Sequence, residues 1–239
     1  LNTIEGSDHT LNIVTIEDPV EHNLSFATQI QVNRELELDC PNILRTILRQ
    51  DPDVILVGEI RDAESAALAV EAAMTGHVVL SSLHTHSAME TLVRLQDLEV
   101  KPYLLASALK GVISQQLLPR LSPGCTDAVP ADAAVVTRLK SLGVLEADWS
   151  GVLYRGKDCE GFRPGGESGR VGAYEIMFVT DRLRDLIDRA APRSELEKAL
   201  DQQYFFSLPK YCRFLLKEGL VAPERVERML PKKPMSFPG

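Results

Sequence analysis

The sequence predicts an α/β protein built on a parallel sheet. Three observations lead there: three apolar runs of strand length in the first half, helical segments between them, and a polar side chain closing each run. Leu11–Ile16 leads into Glu17-Asp18-Pro19, Val54–Val57 into Gly58-Glu59, and Val78–Leu83 into His84. Continuous Val, Ile and Leu suit strands covered on both faces. Alternating strands and helices imply right-handed crossovers.

The helices follow from their caps. The segment from Pro41 to Gln50 has proline near its start, where a missing N–H costs little, and Ile43, Ile47 and Leu48 on one face. Asp62 caps an Ala-rich helix that stops before Gly76. Ser87 and Glu90 have capping-box spacing and open a helix to about Leu98. Leu1 to Gly6 reads as the tail of a helix closed by glycine. A helix is expected over Pro102 to Leu118, with Leu105, Leu109, Val112 and Gln116 on one face. Residues 122–168 read as irregular, apart from one helix near Ala131–Leu142. From Thr180 the pattern is helical again, with a second capping box at Ser194 and Glu197 and a last helix after Pro223. The basic, proline-rich tail Pro231–Gly239 is expected to be loose.

The composition is that of a globular protein: 239 residues, 44% hydrophobic and 25% charged. The net charge of −8 argues against non-specific nucleic-acid binding, which needs a basic surface. It leaves room for a single nucleotide, whose site needs only a few oriented donors. No apolar run is long enough for a membrane-spanning helix, and the first ten residues lack the pattern of a signal peptide. The chain reads as beginning inside a domain. Its scattered cysteines, Cys40, Cys125, Cys159 and Cys212, are expected as reduced cytoplasmic thiols.

In open parallel sheets, ligands sit beyond the carboxyl ends of the strands. Glu17, Asp18 and Glu21 follow the first strand, Glu59 the second and His84 the third. One carboxylate there can hold a water of a Mg²⁺ shell, another can orient or deprotonate an attacking water, and a histidine can contact a terminal phosphate. Singly, a glutamate after a strand is usually a solvated loop residue. Three polar strand ends together mark a ligand site at the sheet edge.

Four motifs sharpen this. Thr15-Ile-Glu-Asp-Pro-Val-Glu21 resembles the Asp box of the type II secretion and type IV pilus assembly ATPases. The stretch from Arg45 to Asp62 resembles their Walker B region, and Thr75 to Thr85 their His box. Gly169-Arg-Val-Gly-Ala-Tyr-Glu175 resembles the segment after the family's cysteine motif. The motifs stand in family order over residues 1–230.

The resemblance implies a partial RecA-like P-loop NTPase core over residues 1–121, a degenerate cysteine-motif extension over 122–168, and a return to the core with a helical subdomain over 169–230. It implies ATP and Mg²⁺ as ligands. Glu59 would organise Mg²⁺ through water, and Glu21 would be the general base. Glu17, Asp18 and Arg61 would support the nucleotide, with His84 facing the γ-phosphate. His77 is a further candidate, but it lies at the far end of a strand spanning roughly 20 Å from His84. It therefore reads as structural, or as touching a neighbouring element.

The sequence departs from the family in two places. It holds no Gly-x-x-x-x-Gly-Lys-Ser/Thr loop, which the resemblance places just before residue 1. The chain alone is therefore expected to be inactive, as a partial sequence or a truncated copy. Many members also carry two Cys-x-x-Cys pairs that bind zinc. Here the pairs read Ser122-x-x-Cys125 and Cys159-x-x-Phe162, leaving two of four ligands. Zinc is not expected, and apolar packing by Trp149 and Phe162 is expected to hold the extension. Cys40 and Cys212 read as buried small hydrophobes.

Functionally, the resemblance implies a cytoplasmic motor, peripheral to the inner membrane. It would be a homohexamer that hydrolyses ATP for secretion or pilus assembly and works on inner-membrane platform proteins. The vestigial cysteines favour the assembly branch over retraction motors. The alternative is a non-catalytic, degenerate copy that forms rings or docks partners. A DNA-translocating relative is disfavoured by the acidic chain.

Overall fold

The computed structural model describes residues 1–6, 10–160 and 163–230. The first elements are α1 (Asn2–Glu5), β1 (Ile13–Glu17), β2 (Thr28–Gln31), α2 (Cys40–Ile47), β3 (Val54–Val57), α3 (Ala63–Met74) and β4 (Val78–Ser81). Then come α4 (Ala88–Asp97), α5 (Pro102–Ala108), β5 (Gly111–Leu121), β6 (Thr126–Pro130), α6 (Ala133–Ser141) and β7 (Val152–Gly156). The last are β8 (Glu167–Phe178), α7 (Asp181–Asp188), α8 (Arg193–Lys198), β9 (Phe205–Phe206), α9 (Leu208–Lys217) and α10 (Pro223–Met229).

The chain divides into two compact units. The first comprises Leu1–Gly111 and Val179–Leu200. Its four strands form a parallel sheet in the order β2-β1-β3-β4. The central strands β1 and β3 are buried almost throughout, whereas the edge strands β2 and β4 are half exposed. The core gathers Ile13, Ile16, Leu44, Ile55 and Val57. Helix starts follow the expected caps: Asp62 accepts from the Ser65 N–H at 2.8 Å, and Ser87 from the Glu90 N–H at 3.2 Å.

The second unit comprises Val112–Phe178 and residues 201–230. It holds a three-stranded sheet, β5-β8-β9, and an antiparallel β6–β7 pair with α6 in its connection. One core includes Leu139, Val144, Ala173, Cys212, Leu216 and Val226. A fork of Arg225 to both oxygens of Glu167, at 2.7 and 2.9 Å, ties α10 to β8.

Four expectations are corrected. The helix from Pro102 stops at Ala108, and from Gly111 the chain is strand. Burial there alternates, with Ser114 and Leu118 buried and Ile113 and Leu117 exposed. The helical spacing of Leu105, Leu109 and Val112 hid a period of two that begins after a glycine and runs through β-branched residues. Residues 122–168 are less irregular than read, because β6 and β7 pair along five residues each. The capping box at Ser194 does not form. Helix α8 already starts at Arg193 behind Pro192, and Glu197 pairs with Arg193 at 2.7 Å. Finally, Cys125 and Cys159 are not free thiols but form a disulfide, with Cα atoms 6.1 Å apart. They flank the paired strands β6 and β7, which bring 34 residues of separation within bridging range. Trp149 does pack against the core of the second unit, as expected, while Phe162 lies outside the described residues.

Candidate functional site

The register of the sheet builds the site. Ile16, Val57 and Ser81 are aligned across β1, β3 and β4, so the three strands end at one level. The residues that follow, Glu17, Gly58 and Ser82, share that edge. The Gly58 N–H donates to the Ile16 carbonyl at 2.7 Å, and the Ser82 hydroxyl donates to the Gly58 carbonyl at 2.5 Å. The Ile60 N–H donates to the Ser82 carbonyl at 3.1 Å. The turn carrying Glu59 is thus fastened on both sides. Space in it is tight: a Cβ at Gly58 would stand 3.0 Å from the Ile16 carbonyl oxygen.

Glu59 is only 22% exposed and uses both carboxylate oxygens. One pairs with the Arg61 guanidinium, and the other lies 2.9 Å from His84 Nε2. Arg61 holds the Glu59 carboxyl below the usual carboxylate range; burial opposes this and His84 reinforces it. Glu59 in turn raises the pKa of Arg61.

On β1, Glu17 is committed to the fold. Its Oε1 accepts from the buried Thr15 hydroxyl at 2.6 Å and from Gln29 Nε2 at 2.9 Å. Asp18 stands 3.6 Å from Arg34 in a largely exposed pair. Glu21 is exposed and makes no hydrogen bond or ion pair among the described residues.

A cavity of about 990 Å³ opens over this edge. Glu17, Asp18, Glu21, Glu59, Arg61 and His84 all line it, six of the seven residues singled out from the sequence. His77 does not. Its Nδ1 lies 3.0 Å from the Ala72 carbonyl and 3.0 Å from the Thr75 hydroxyl, so the ring closes the C-terminus of α3. Cys40 also departs from expectation: it is half-buried and lines the cavity, with a thiol raised mainly by burial. Cys212 is fully buried, which pushes its thiol up to about 12.

The sequence reading missed Arg34, Gln29 and Gln31. All lie on or just after β2, whose Thr-Gln-Ile-Gln run has too little apolar character to announce a strand. Their signal was the spacing of two glutamines two residues apart.

The donor set suits a hydrated divalent cation better than a bare one. No group of three or more metal-ligating side chains converges among the described residues. Each Glu59 oxygen, already holding one donor, retains a lone pair for a water of a Mg²⁺ shell.

The family model of the Type II/IV secretion system protein matches residues 1–228. The chain belongs to this family. It is 42% identical over 192 residues to the type II secretion system protein E of Pseudomonas aeruginosa, covering 80% of this chain and 38% of that protein. It is 38% identical over 216 residues to the type IV pilus assembly ATPase PilB of Thermus thermophilus, covering 90% of this chain and 24% of that one. The fold matches the crystal structure of the pilus retraction motor PilT with bound ADP, at a TM-score of 0.65 and 27% identity, over 95% of this chain and 54% of that one. The core therefore has the fold of the P-loop secretion ATPases. This family member spans well under half the length of the curated relatives named here.

Proposed function

We propose that the chain supplies the acidic and histidine side of an ATP-hydrolysing site in a motor for type II secretion or type IV pilus assembly. The observation that carries this is the cavity at the aligned strand ends, where six polar residues converge and Glu59 is fixed between Arg61 and His84. The relatives named as secretion and pilus proteins support the same reading.

In this reading Glu59 would hold Mg²⁺ through the waters of its shell, and the ion when bound would supply charge neutralisation at the phosphates. Glu21, without a partner among the described residues, orients and deprotonates the attacking water. Arg61 and His84 fix Glu59, and His84 (85% exposed) reaches toward the terminal phosphate. Asp18 supports the nucleotide edge. Glu17 braces the loop rather than touching nucleotide, and His77 is structural. Turnover requires a phosphate-binding loop, and the sequence given holds no Gly-x-x-x-x-Gly-Lys-Ser/Thr motif. Zinc has no part in this reading, because the region offers only Cys125 and Cys159 where a structural site takes four ligands.

The motor works as a homo-oligomer, a hexamer, in which a neighbour adds cationic groups to the open side of the site. It acts on inner-membrane platform proteins from the cytoplasmic side and uses no nucleic-acid track. No described helix is long and apolar enough to cross a membrane.

The test is Mg²⁺-dependent ATP turnover by the full-length protein containing this segment. Glu21→Gln is expected to lower kcat by about 100-fold or more while nucleotide still binds. Unchanged turnover in that variant would remove Glu21 from the mechanism. Absence of turnover in the wild type would leave a docking or ring-forming module.

A further inference from the structure

The loop between β1 and β2 carries Glu21 over the cavity, and two glutamines of the edge strand β2 hold its backbone. Gln29 Nε2 donates to the His22 carbonyl and to Glu17 Oε1, both at 2.9 Å, while its Oε1 accepts from the Leu24 N–H at 2.6 Å. Gln31 Oε1 accepts from the Val20 N–H at 3.1 Å. The contacts fall on residues 20, 22 and 24, immediately before and just after Glu21. Exposed loops usually leave such groups to water. Here the strand's period of two places Gln29 and Gln31 on one side, facing the loop.

The chemistry of Gln29 is specific. Its two N–H donors meet two acceptors and its oxygen meets a donor, so the network fixes the amide in one orientation. The same amide ties the loop to Glu17, which Thr15 fixes to β1. The cluster is continuous from the buried centre of the sheet to the backbone around Glu21.

We infer that Gln29 is a positioning residue: it sets the place of Glu21 over the cavity, with Gln31 as a second anchor. The inference rests on the reading of Glu21 as the group that orients water. A free carboxylate on an unheld loop would sample many positions, and misplacement by an ångström is costly in rate.

Gln29→Met tests this with little change in shape. It removes both the donors to the Glu17 carboxylate and the His22 carbonyl and the oxygen that accepts from the Leu24 N–H. Two readouts separate the clamp from the chemistry. Hydrogen exchange at the Leu24 amide is expected to speed up by about tenfold or more in this variant. In the full-length protein, kcat is expected to fall about tenfold, with KM for ATP and the melting temperature little changed. Gln31→Ala should give a smaller shift of the same kind, with faster exchange at Val20, and serves if Gln29→Met folds poorly. Unchanged exchange at Leu24 would overturn the clamp. Faster exchange with unchanged kcat, or a rise in KM alone, would overturn the positioning role. A wild type without turnover would overturn the ATPase reading and the positioning role with it, and exchange alone would then judge the clamp.

Discussion

His84 Nε2 lies 2.9 Å from Glu59 Oε2, joining the turn after β3 to the segment after β4. A carboxylate only accepts, so this bond requires the proton on Nε2. His84 is 85% exposed, and an ion pair so open to water contributes little to stability. His84→Ala should therefore cost about 0–1 kcal/mol of unfolding free energy. It should nonetheless lower ATP turnover in the full-length protein by about tenfold or more. Denaturant melts beside steady-state rates check both halves; a stability loss that matched the rate loss would make His84 a structural residue.

Gly58 carries a second prediction. A methyl there meets the main chain of β1, not a flexible side chain, so the Glu59 turn must move. Gly58→Ala is expected to destabilise by about 1–3 kcal/mol and to reduce turnover beyond what the lost folded fraction explains. Rates measured well below the melting temperature separate the two effects.

Asp132 gives the clearest pH dependence. It caps α6, accepting from the Ala134 N–H at 2.7 Å and the Val135 N–H at 3.3 Å. Those bonds, the one from Val135 foremost, hold its carboxyl below the usual range. The stability it lends is present above the unfolded carboxyl pKa, about 4, and is lost as pH falls through its lower folded value. The difference in denaturant midpoint between wild type and Asp132→Asn should be largest near neutrality and should shrink below about pH 4. A constant difference across that range would contradict the assignment.

The Cys125–Cys159 disulfide closes a loop of 34 residues of separation. Cys159→Ala should lower stability by about 2–4 kcal/mol under oxidising conditions. In reductant, wild type and variant should converge. Equal stability without reductant would mean that the core around Leu139, Val144 and Trp149 holds this region unaided.

Much of this site was legible because its scaffold is apolar. Val54–Val57 and the strands on either side of it announced themselves as runs of Val, Ile and Leu, and Glu59 and His84 follow directly from where those runs end. His77, placed by the sequence at the far end of the last strand from His84, follows α3, where its ring meets the Ala72 carbonyl, and it does not line the cavity. What stayed hidden was polar or distant. Strand β2 has one apolar residue in four, so Gln29 and Gln31 gave no strand signal and their hold on the loop was invisible. Strand β5 shares its apolar spacing with a helix and was read as one. Cys125 and Cys159 are brought together by the pairing of β6 and β7 across an intervening helix, which no local pattern disclosed.

The central claim is that Glu59 serves catalysis at the sheet edge. The most direct measurement is steady-state ATP hydrolysis with Mg²⁺ by the full-length protein, wild type against Glu59→Gln. The account predicts that the amide, which loses the charge that pairs with Arg61 and accepts from the Mg²⁺ waters, lowers kcat by about 100-fold or more while the fold is kept. Turnover within about twofold of wild type would contradict it.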